Sequence, residues 1–159
     1  MKVTLKQLDK WGACQEALDW WKRDHPDGED ASLDVLVNKV IPEKCRKDWG
    51  EWFLFEVAAR VDGPEGDEAL DMLITDADAS ILTRIVTHIT SRDTSKAMAK
   101  LTNEGGAEYL ASVLERGSVT DARQAAAALL ARAPAVAKFC ERTLQPERAA
   151  LITDAKRVG

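Results

Sequence analysis

Cysteine and histidine are scarce in this chain. Of its 159 residues only three are cysteine and two are histidine, and Cys14, Cys45 and Cys140 lie far apart with no C-x-x-C pair. An odd number of scattered thiols argues against a disulfide framework. His25 and His88 are too distant in sequence to indicate a zinc site. The sequence therefore predicts free, buried thiols, with no bound metal and no cofactor.

Long apolar runs are also missing from the sequence. No stretch approaches the roughly 18 consecutive apolar residues that a membrane-spanning helix needs. The first ten residues, MKVTLKQLDK, contain no apolar core of the kind found in signal peptides. We therefore expect a cytoplasmic protein that does not contact a membrane.

The chain has no excess of basic residues. It carries 22 Lys and Arg against 27 Asp and Glu, which gives a formal net charge of −5. Because a nucleic-acid binder concentrates a basic excess on one face, this balance argues against that class. The acidic residues are in turn diluted by the basic ones, which weakens the case for a nucleic-acid mimic. A nucleic-acid mimic or binder is therefore kept only as an alternative.

Every apolar stretch of the chain repeats with a helical period, so no β-strand is predicted. Thr4 and Gln7 form a capping box typical of a helix start, and Ser32 and Asp48 are placed to cap two later helices. The acidic segment 24–30 is predicted to be a loop. The predicted helices span residues 5–11, 13–24, 33–41, 49–61, 64–75, 77–91, 95–103, 107–116, 119–132, 134–144 and 146–157. The predicted fold class is therefore all-α.

The most regular helical pattern lies in segment 105–131, GGAEYLASVLERGSVTDARQAAAALLA. Two apolar stripes at helical spacing are separated by Gly117, which predicts a pair of helices joined by a short turn. The segment resembles an armadillo or HEAT repeat in its paired Gly105-Gly106, in Leu110 and Leu114, in Gly117, and in Ala125-Ala126 ahead of Leu129. This resemblance implies a stack of helical hairpins that exposes an extended binding surface.

A fainter copy of the same pattern lies about 40 residues upstream, an offset that suits the period of such arrays. In this alignment Leu70, Leu73 and Ile74 parallel Leu110, Val113 and Leu114, and Ile81, Ile85 and Ile89 parallel Ala122, Ala126 and Leu130. The alternative is two ordinary helical hairpins. On the first interpretation, residues 63–159 form the armadillo- or HEAT-like stack.

All five tryptophans lie in the first 52 residues, and this change of composition indicates a boundary near Asp62-Gly63-Pro64. Residues 1–62 are therefore predicted to form a Trp-rich helical subdomain that shares one core with the stack. The tryptophan pattern consists of Trp11, Cys14, Ala17-Leu18, Trp20-Trp21, and Asp48-Trp49-x-x-Trp52. It resembles short uncharacterised proteins of bacteria and their phages.

The sequence contains no recognisable catalytic motif, so no catalytic residue is assigned. Two groups are candidates for binding a partner. Tryptophan is enriched at binding hot spots, and Trp20 and Trp49 fall outside the apolar stripes that explain Trp21 and Trp52. Arg84, His88 and Arg92 are spaced i, i+4 and i+8, which predicts a basic stripe along one helix. The alternatives are core packing for the tryptophans and a solvated helix flank for the basic residues.

The function that fits these patterns best is a non-enzymatic module that binds another protein. The resemblance to phage proteins implies that the partner is a host or defence protein and that binding inhibits it. A second hypothesis is a small-ligand-binding protein or enzyme that uses the tryptophans, His25 and the acidic residues of segment 24–30. The oligomeric state is not predicted.

Overall fold

The computed structural model describes residues 1–158, and almost all of this range is helical. The prediction of an all-α fold is confirmed. The eleven α-helices of this range are α1 (Leu5–Trp11), α2 (Gln15–Asp24), α3 (Leu33–Val35), α4 (Glu51–Arg60), α5 (Pro64–Asp76), α6 (Ala79–His88), α7 (Ser95–Glu104), α8 (Ala107–Arg116), α9 (Val119–Arg132), α10 (Pro134–Thr143) and α11 (Pro146–Val158).

The chain forms two compact units, one from Met1 to Leu73 and the other from Ile74 onward. The division falls inside α5, after the change of composition near Asp62-Gly63-Pro64. Each unit has its own set of buried apolar side chains.

The first unit opens with the capping box that the sequence predicts. The Thr4 hydroxyl accepts a hydrogen bond from the Gln7 backbone N–H at 3.3 Å, and the Gln7 side-chain oxygen accepts one from the Thr4 backbone N–H at 3.2 Å. Gly12 ends α1 in the left-handed conformation, with φ of 83°. The start of α1 thus follows from local chemistry alone.

Two short strands pair in the first unit, which corrects the prediction of no strand and of a loop throughout segment 24–30. Strand β1 (Lys2–Val3) runs antiparallel to β2 (Glu29–Asp30). The N-terminal ammonium extends the pairing by donating to the Ala31 carbonyl at 2.8 Å, and Val3 is fully buried beneath it. A pair of two-residue strands is too short for the alternation of polar and apolar residues that predicts a strand.

The segment between α3 and α4 contains two π-helical turns, Leu36–Val40 and Arg46–Gly50, with a 3-10 turn, Glu43–Cys45, between them. Ser32 caps α3 as predicted, since its hydroxyl accepts from the Val35 N–H at 3.4 Å. Asp48 does not cap α4, because it lies inside the second π-helical turn. That part of the prediction is wrong.

In the second unit the helices pack in two rows. From α6 to α11, each helix contacts the next one along the chain and the one after that. Helices α6, α8 and α10 therefore form one row, and α7, α9 and α11 form the other. The predicted hairpin across Gly117 is present as α8 and α9.

The hairpins of this unit begin at Ala79, Ala107 and Pro134, which are 28 and then 27 residues apart. Helices α6 and α8 bury matching positions, namely Leu82, Ile85 and Val86 in α6 and Leu110, Val113 and Leu114 in α8. The offset of about 40 residues considered from the sequence would instead align α6 with α9. The hairpins therefore repeat every 27 to 28 residues and not every 40, because α6 lies in the same row as α8.

Two basic side chains close the C-terminal ends of helices in the second unit. The Arg132 guanidinium donates to the Gly105 carbonyl at 2.9 Å and to the Thr102 carbonyl, both at the end of α7. The Lys100 ammonium donates to the carbonyls of Ile74 and Thr75 at 3.0 and 3.1 Å. These bonds satisfy carbonyls that have no partner within their own helix.

Substitution of the buried leucines tests the packing of α8 and α9. Leu110→Ala and Leu129→Ala should each lower the free energy of unfolding by about 2 to 5 kcal/mol, because each removes a side chain that is at most 1% exposed and leaves a cavity. Val119→Ala is the control, since Val119 is 55% exposed. Urea denaturation measures all three changes, and losses below about 0.5 kcal/mol in the leucine variants would contradict this packing.

Two glycines with the same backbone conformation allow the effect of backbone strain on stability to be distinguished from the effect of a steric clash. Gly12 and Gly28 both have φ of 83°, but a Cβ at Gly28 would lie 2.6 Å from the Val3 carbonyl oxygen, whereas one at Gly12 meets nothing within 4 Å. Gly12→Ala should destabilise by about 1 kcal/mol, and Gly28→Ala by about 2 to 4 kcal/mol, in thermal unfolding. Equal losses of stability in the two variants would show that strands β1 and β2 move apart to accept the added Cβ at no energetic cost.

Candidate functional site

Trp20 and Trp49 lie side by side in the first unit. Trp20 is on α2 and Trp49 is on the π-helical turn Arg46–Gly50. Their ring centroids are 5.5 Å apart and the ring planes are inclined by 39°. Both side chains are half-buried. The structure therefore brings together the two tryptophans that the sequence selects as candidates, and leaves part of each ring accessible.

Two further rings pack against Trp20. Its centroid lies 5.7 Å from that of Trp21 and 5.4 Å from that of His25, in both cases with the rings edge to face. His25 Nδ1 is in turn 3.1 Å from the Glu29 carboxylate on β2. Edge-to-face pairs at this distance are attractive beyond their buried area. The short β-strand pair thus helps to fix the ring that supports Trp20.

The position of Trp49 depends on the two π-helical turns. A π-helical turn holds more residues than an α-helical one, so side chains on it are rotated relative to an α-helix of the same sequence. Gly50 lets the two turns approach closely, because a Cβ there would already lie 3.3 Å from Val37 Cγ1. Trp49 therefore lies against Trp20 and not along the first turn of α4.

The two tryptophans line a cleft of about 620 Å³. Its lining combines these two indole rings with charged and polar side chains. The other lining residues are Glu16, Asp19, Arg23, Asp24, Pro42, Lys44 and Cys45. The cleft thus combines an apolar platform with three carboxylates and two cationic groups.

Some of the charged groups that line the cleft have ion-pair partners within residues 1–158 and others do not. The Arg23 guanidinium binds both oxygens of Asp24, at 2.8 and 3.1 Å, and this hydrogen-bonded pair raises the pKa of Arg23 and lowers that of Asp24. Asp19 accepts only from the neutral Gln15 amide, at 2.8 Å. Within the described residues, the side chains of Glu16 and Lys44 have no hydrogen-bond or ion-pair partner. The cleft carries a net charge of −1 at neutral pH.

Arg84, His88 and Arg92 do not form the continuous stripe along one helix that their spacing predicts, and their role in binding a partner stays a prediction. Helix α6 ends at His88, where Ile89 leaves the helical conformation with ψ of 90°. Arg92 lies beyond the helix and is half-buried, whereas Arg84 and His88 are exposed on α6. His88 Nδ1 is 3.2 Å from the Arg84 carbonyl oxygen. An i, i+8 relation requires a continuous helix, which this segment lacks.

A second concave site, missed by the sequence reasoning, lies in the second unit between α9 and α11. This groove has a volume of about 860 Å³ and a mainly apolar lining. It is lined by Arg123, Ala127, Leu130 and Ala131 of α9 and by Leu151, Asp154, Ala155, Lys156 and Val158 of α11. The spacing of Ala127, Leu130 and Ala131 at i, i+3 and i+4 is the signal that could have indicated a second apolar face on α9.

Within residues 1–158, no group of three or more histidine, cysteine or acidic side chains is placed to hold a metal ion. None of the helices described is long and apolar enough to cross a bilayer.

Comparison of the chain with protein families, curated proteins and solved structures gave no match. The case for a function therefore depends on the geometry of the Trp20–Trp49 cleft and of the α9–α11 groove.

The three thiols differ in exposure, which corrects the prediction that all are buried. Cys14 is exposed, Cys45 is half-buried in the wall of the cleft, and Cys140 is buried. Cys14 is exposed because it precedes α2 as its N-cap residue and so lies outside the apolar stripe of that helix. Burial raises the pKa of the Cys140 thiol.

Thiol labelling with a disulfide reagent at pH 8 should follow this order of exposure. Cys14 should react first, Cys45 more slowly, and Cys140 only on unfolding, because a raised pKa reduces the fraction of reactive thiolate. Single Cys→Ser variants assign each kinetic phase. Rapid labelling of Cys140 in the folded protein would contradict its burial in α10.

Proposed function

We propose that this protein is a non-enzymatic module that binds another protein through the Trp20–Trp49 cleft of its first unit. The observation that carries the proposal is the pair of half-buried indole rings, 5.5 Å apart, in a cleft that charged side chains also line. Protein interfaces combine aromatic anchors with polar groups. The cleft contains both kinds of group.

The contrast with Trp11 and Trp21, two other tryptophans of the unit, supports this choice. Trp11 and Trp21 are only 8% and 3% exposed, and the Trp11 ring packs against Phe53 with a centroid distance of 6.1 Å. These side chains belong to the core. Trp20 and Trp49 instead keep accessible surface beside charged groups, where burial by a partner would remove further apolar area from water.

The support behind Trp20 favours tight binding. Because Trp21 and His25 already pack against its ring, Trp20 has little conformational freedom to lose when a partner binds. Ordering a free side chain at an interface typically opposes association by about 0.5 to 1.5 kcal/mol. A preorganised tryptophan avoids most of that loss.

The second unit is proposed to be an armadillo- or HEAT-like stack. The support is the pattern of contacts from α6 to α11, in which each helix contacts its two successors. Repeat proteins of this type present extended surfaces to their partners. The resemblance of the tryptophan pattern to bacterial and phage proteins extends the proposal to a host or defence protein as partner, with inhibition as the result.

A second candidate function is the binding of a small apolar ligand in the α9–α11 groove. Its volume of about 860 Å³ and mainly apolar lining fall within the range of ligand-binding pockets. This site differs from the one hypothesised from the tryptophans, His25 and the acidic residues of segment 24–30, of which Trp20, Trp49 and Asp24 line the first cleft and His25 does not. Binding of a neutral apolar dye, lost in Leu130→Asp, would favour it.

The proposed function is tested with a partner captured from the source cells by the tagged 159-residue chain. Calorimetry then compares binding of the wild type with that of Trp20→Ala and Trp49→Ala. Each substitution should weaken binding by at least about 2 kcal/mol, roughly 30-fold, as expected for a buried aromatic anchor. Circular dichroism verifies that the variants remain helical.

Two further variants serve as comparisons in the same measurement. Trp52→Ala removes a half-buried tryptophan that does not line the cleft, and the triple Arg84→Ser, His88→Ser and Arg92→Ser variant removes the basic residues of and after α6. Both should bind the partner as the wild type does. Unchanged affinity in Trp20→Ala and Trp49→Ala, with loss in the triple variant, would transfer the binding site to the second unit.

A further inference from the structure

The face of α2 that borders the cleft combines carboxylates with an indole ring. Glu16, Asp19, Trp20 and Arg23 line the cleft and recur at i, i+3, i+4 and i+7. Residues at these spacings are neighbours on one side of a helix. The carboxylates of Glu16 and Asp19 are therefore placed within one helical turn of the Trp20 ring.

The charge around this face is complementary to a cation. Arg23 is paired with Asp24 through two hydrogen bonds, so their opposite charges offset each other. Of the three remaining charged groups two are acidic, Glu16 and Asp19, and one, Lys44, is basic. Glu16 has no partner within residues 1–158, and Asp19 has only the Gln15 amide. An anionic ligand would be repelled by two carboxylates, and a neutral apolar one would gain nothing from their charge.

The two indole rings of the cleft also favour a positively charged ligand. Indole is the strongest cation–π acceptor among the side chains, and this attraction increases when the cation loses water on entering a cleft. Trp20 and Trp49 both line the cleft with their ring planes inclined by 39°. A flat cation can therefore stack on one ring and touch the other, while its hydrogen-bond donors reach the carboxylates.

We infer that the Trp20–Trp49 cleft receives an arginine side chain of the partner protein, with its guanidinium stacked on indole and hydrogen-bonded to Glu16 and Asp19. Arginine fits better than lysine because guanidinium is planar, weakly hydrated and able to donate two parallel hydrogen bonds to a carboxylate. This inference rests on the proposed function, since it names the chemistry of the partner at the same site.

The experiment follows the indole N–H signals of the intact protein by nuclear magnetic resonance during titration with blocked tripeptides. The probes are Gly-Arg-Gly, Gly-Lys-Gly and Gly-citrulline-Gly, each acetylated and amidated. Citrulline is the matched neutral probe, because its urea group is planar and of nearly the same size as guanidinium. Trp→Phe variants at positions 20, 49 and 52 assign the signals.

The arginine peptide should shift the signals of Trp20 and Trp49 to saturation, and should leave that of Trp52 unchanged. The citrulline peptide should bind at least about tenfold more weakly, and the lysine peptide should fall between the two. The affinity of the arginine peptide should also decrease with added salt, as expected for partly exposed charges.

Carboxylate variants test the acceptors directly. Glu16→Gln and Asp19→Asn should each weaken binding of the arginine peptide by about three- to tenfold, because each removes one charged acceptor. Glu68→Gln is the matched control, since it makes the same chemical change at an exposed position of α5 that does not line the cleft. Its affinity for the arginine peptide should equal that of the wild type.

Three results would overturn the inference: equal binding of the arginine and citrulline peptides, shifts confined to signals outside the cleft, or no saturable shift with the arginine peptide. Each is distinct from failure of the proposed function. If partner binding still depends on Trp20 and Trp49, the cleft remains a protein-binding site that takes a neutral or aliphatic anchor. If partner binding does not depend on them, the proposed function itself fails.

Discussion

The small side chains of α9 are the constraint on which the second unit depends. This helix contacts α7, α8, α10 and α11, and the alanines that it turns inward, Ala122, Ala125 and Ala126, have no exposed surface. The distance between packed helices is set by the side chains at their contact. Alanine permits the closest approach short of glycine without the loss of helix propensity that glycine brings. Larger residues at these positions would push apart both rows of helices.

In the first unit, large aromatic rings and not small side chains determine the packing. Trp21 is buried in the core, yet its edge-to-face contact with Trp20 also determines how a surface residue is presented. His25 links the same cluster to the short β-strand pair through Glu29. Core packing and the candidate site therefore share side chains, so a change at Trp21 or His25 would alter the cleft even though neither residue lines it.

Most of the helical architecture could be predicted from the sequence, because caps and apolar periodicity are local signals. The capping box at Thr4 and Gln7 and the hairpin across Gly117 are examples. The end of α6 at His88 could not be predicted, since the next residue, Ile89, is neither a glycine nor a proline. Ile89 is non-helical, and its side chain is buried. The π-helical turn at Trp49 has no residue signature either. The sequence identified the two tryptophans of the cleft, but their mutual contact depends on that turn.

The order of contacts along the chain has a consequence for how the two units reach their folded states. In the second unit, the helix pairs with extensive contacts are at most two helices apart, yet neighbours in one row begin 27 or 28 residues apart, and Arg132 binds the Gly105 carbonyl 27 positions away. In the first unit, pairing of Val3 with Glu29 joins residues 26 positions apart. Loop-closure entropy depends only weakly on loop length, so these closures oppose folding to a similar extent. Neither unit therefore gains an advantage in folding rate from the length of its loops.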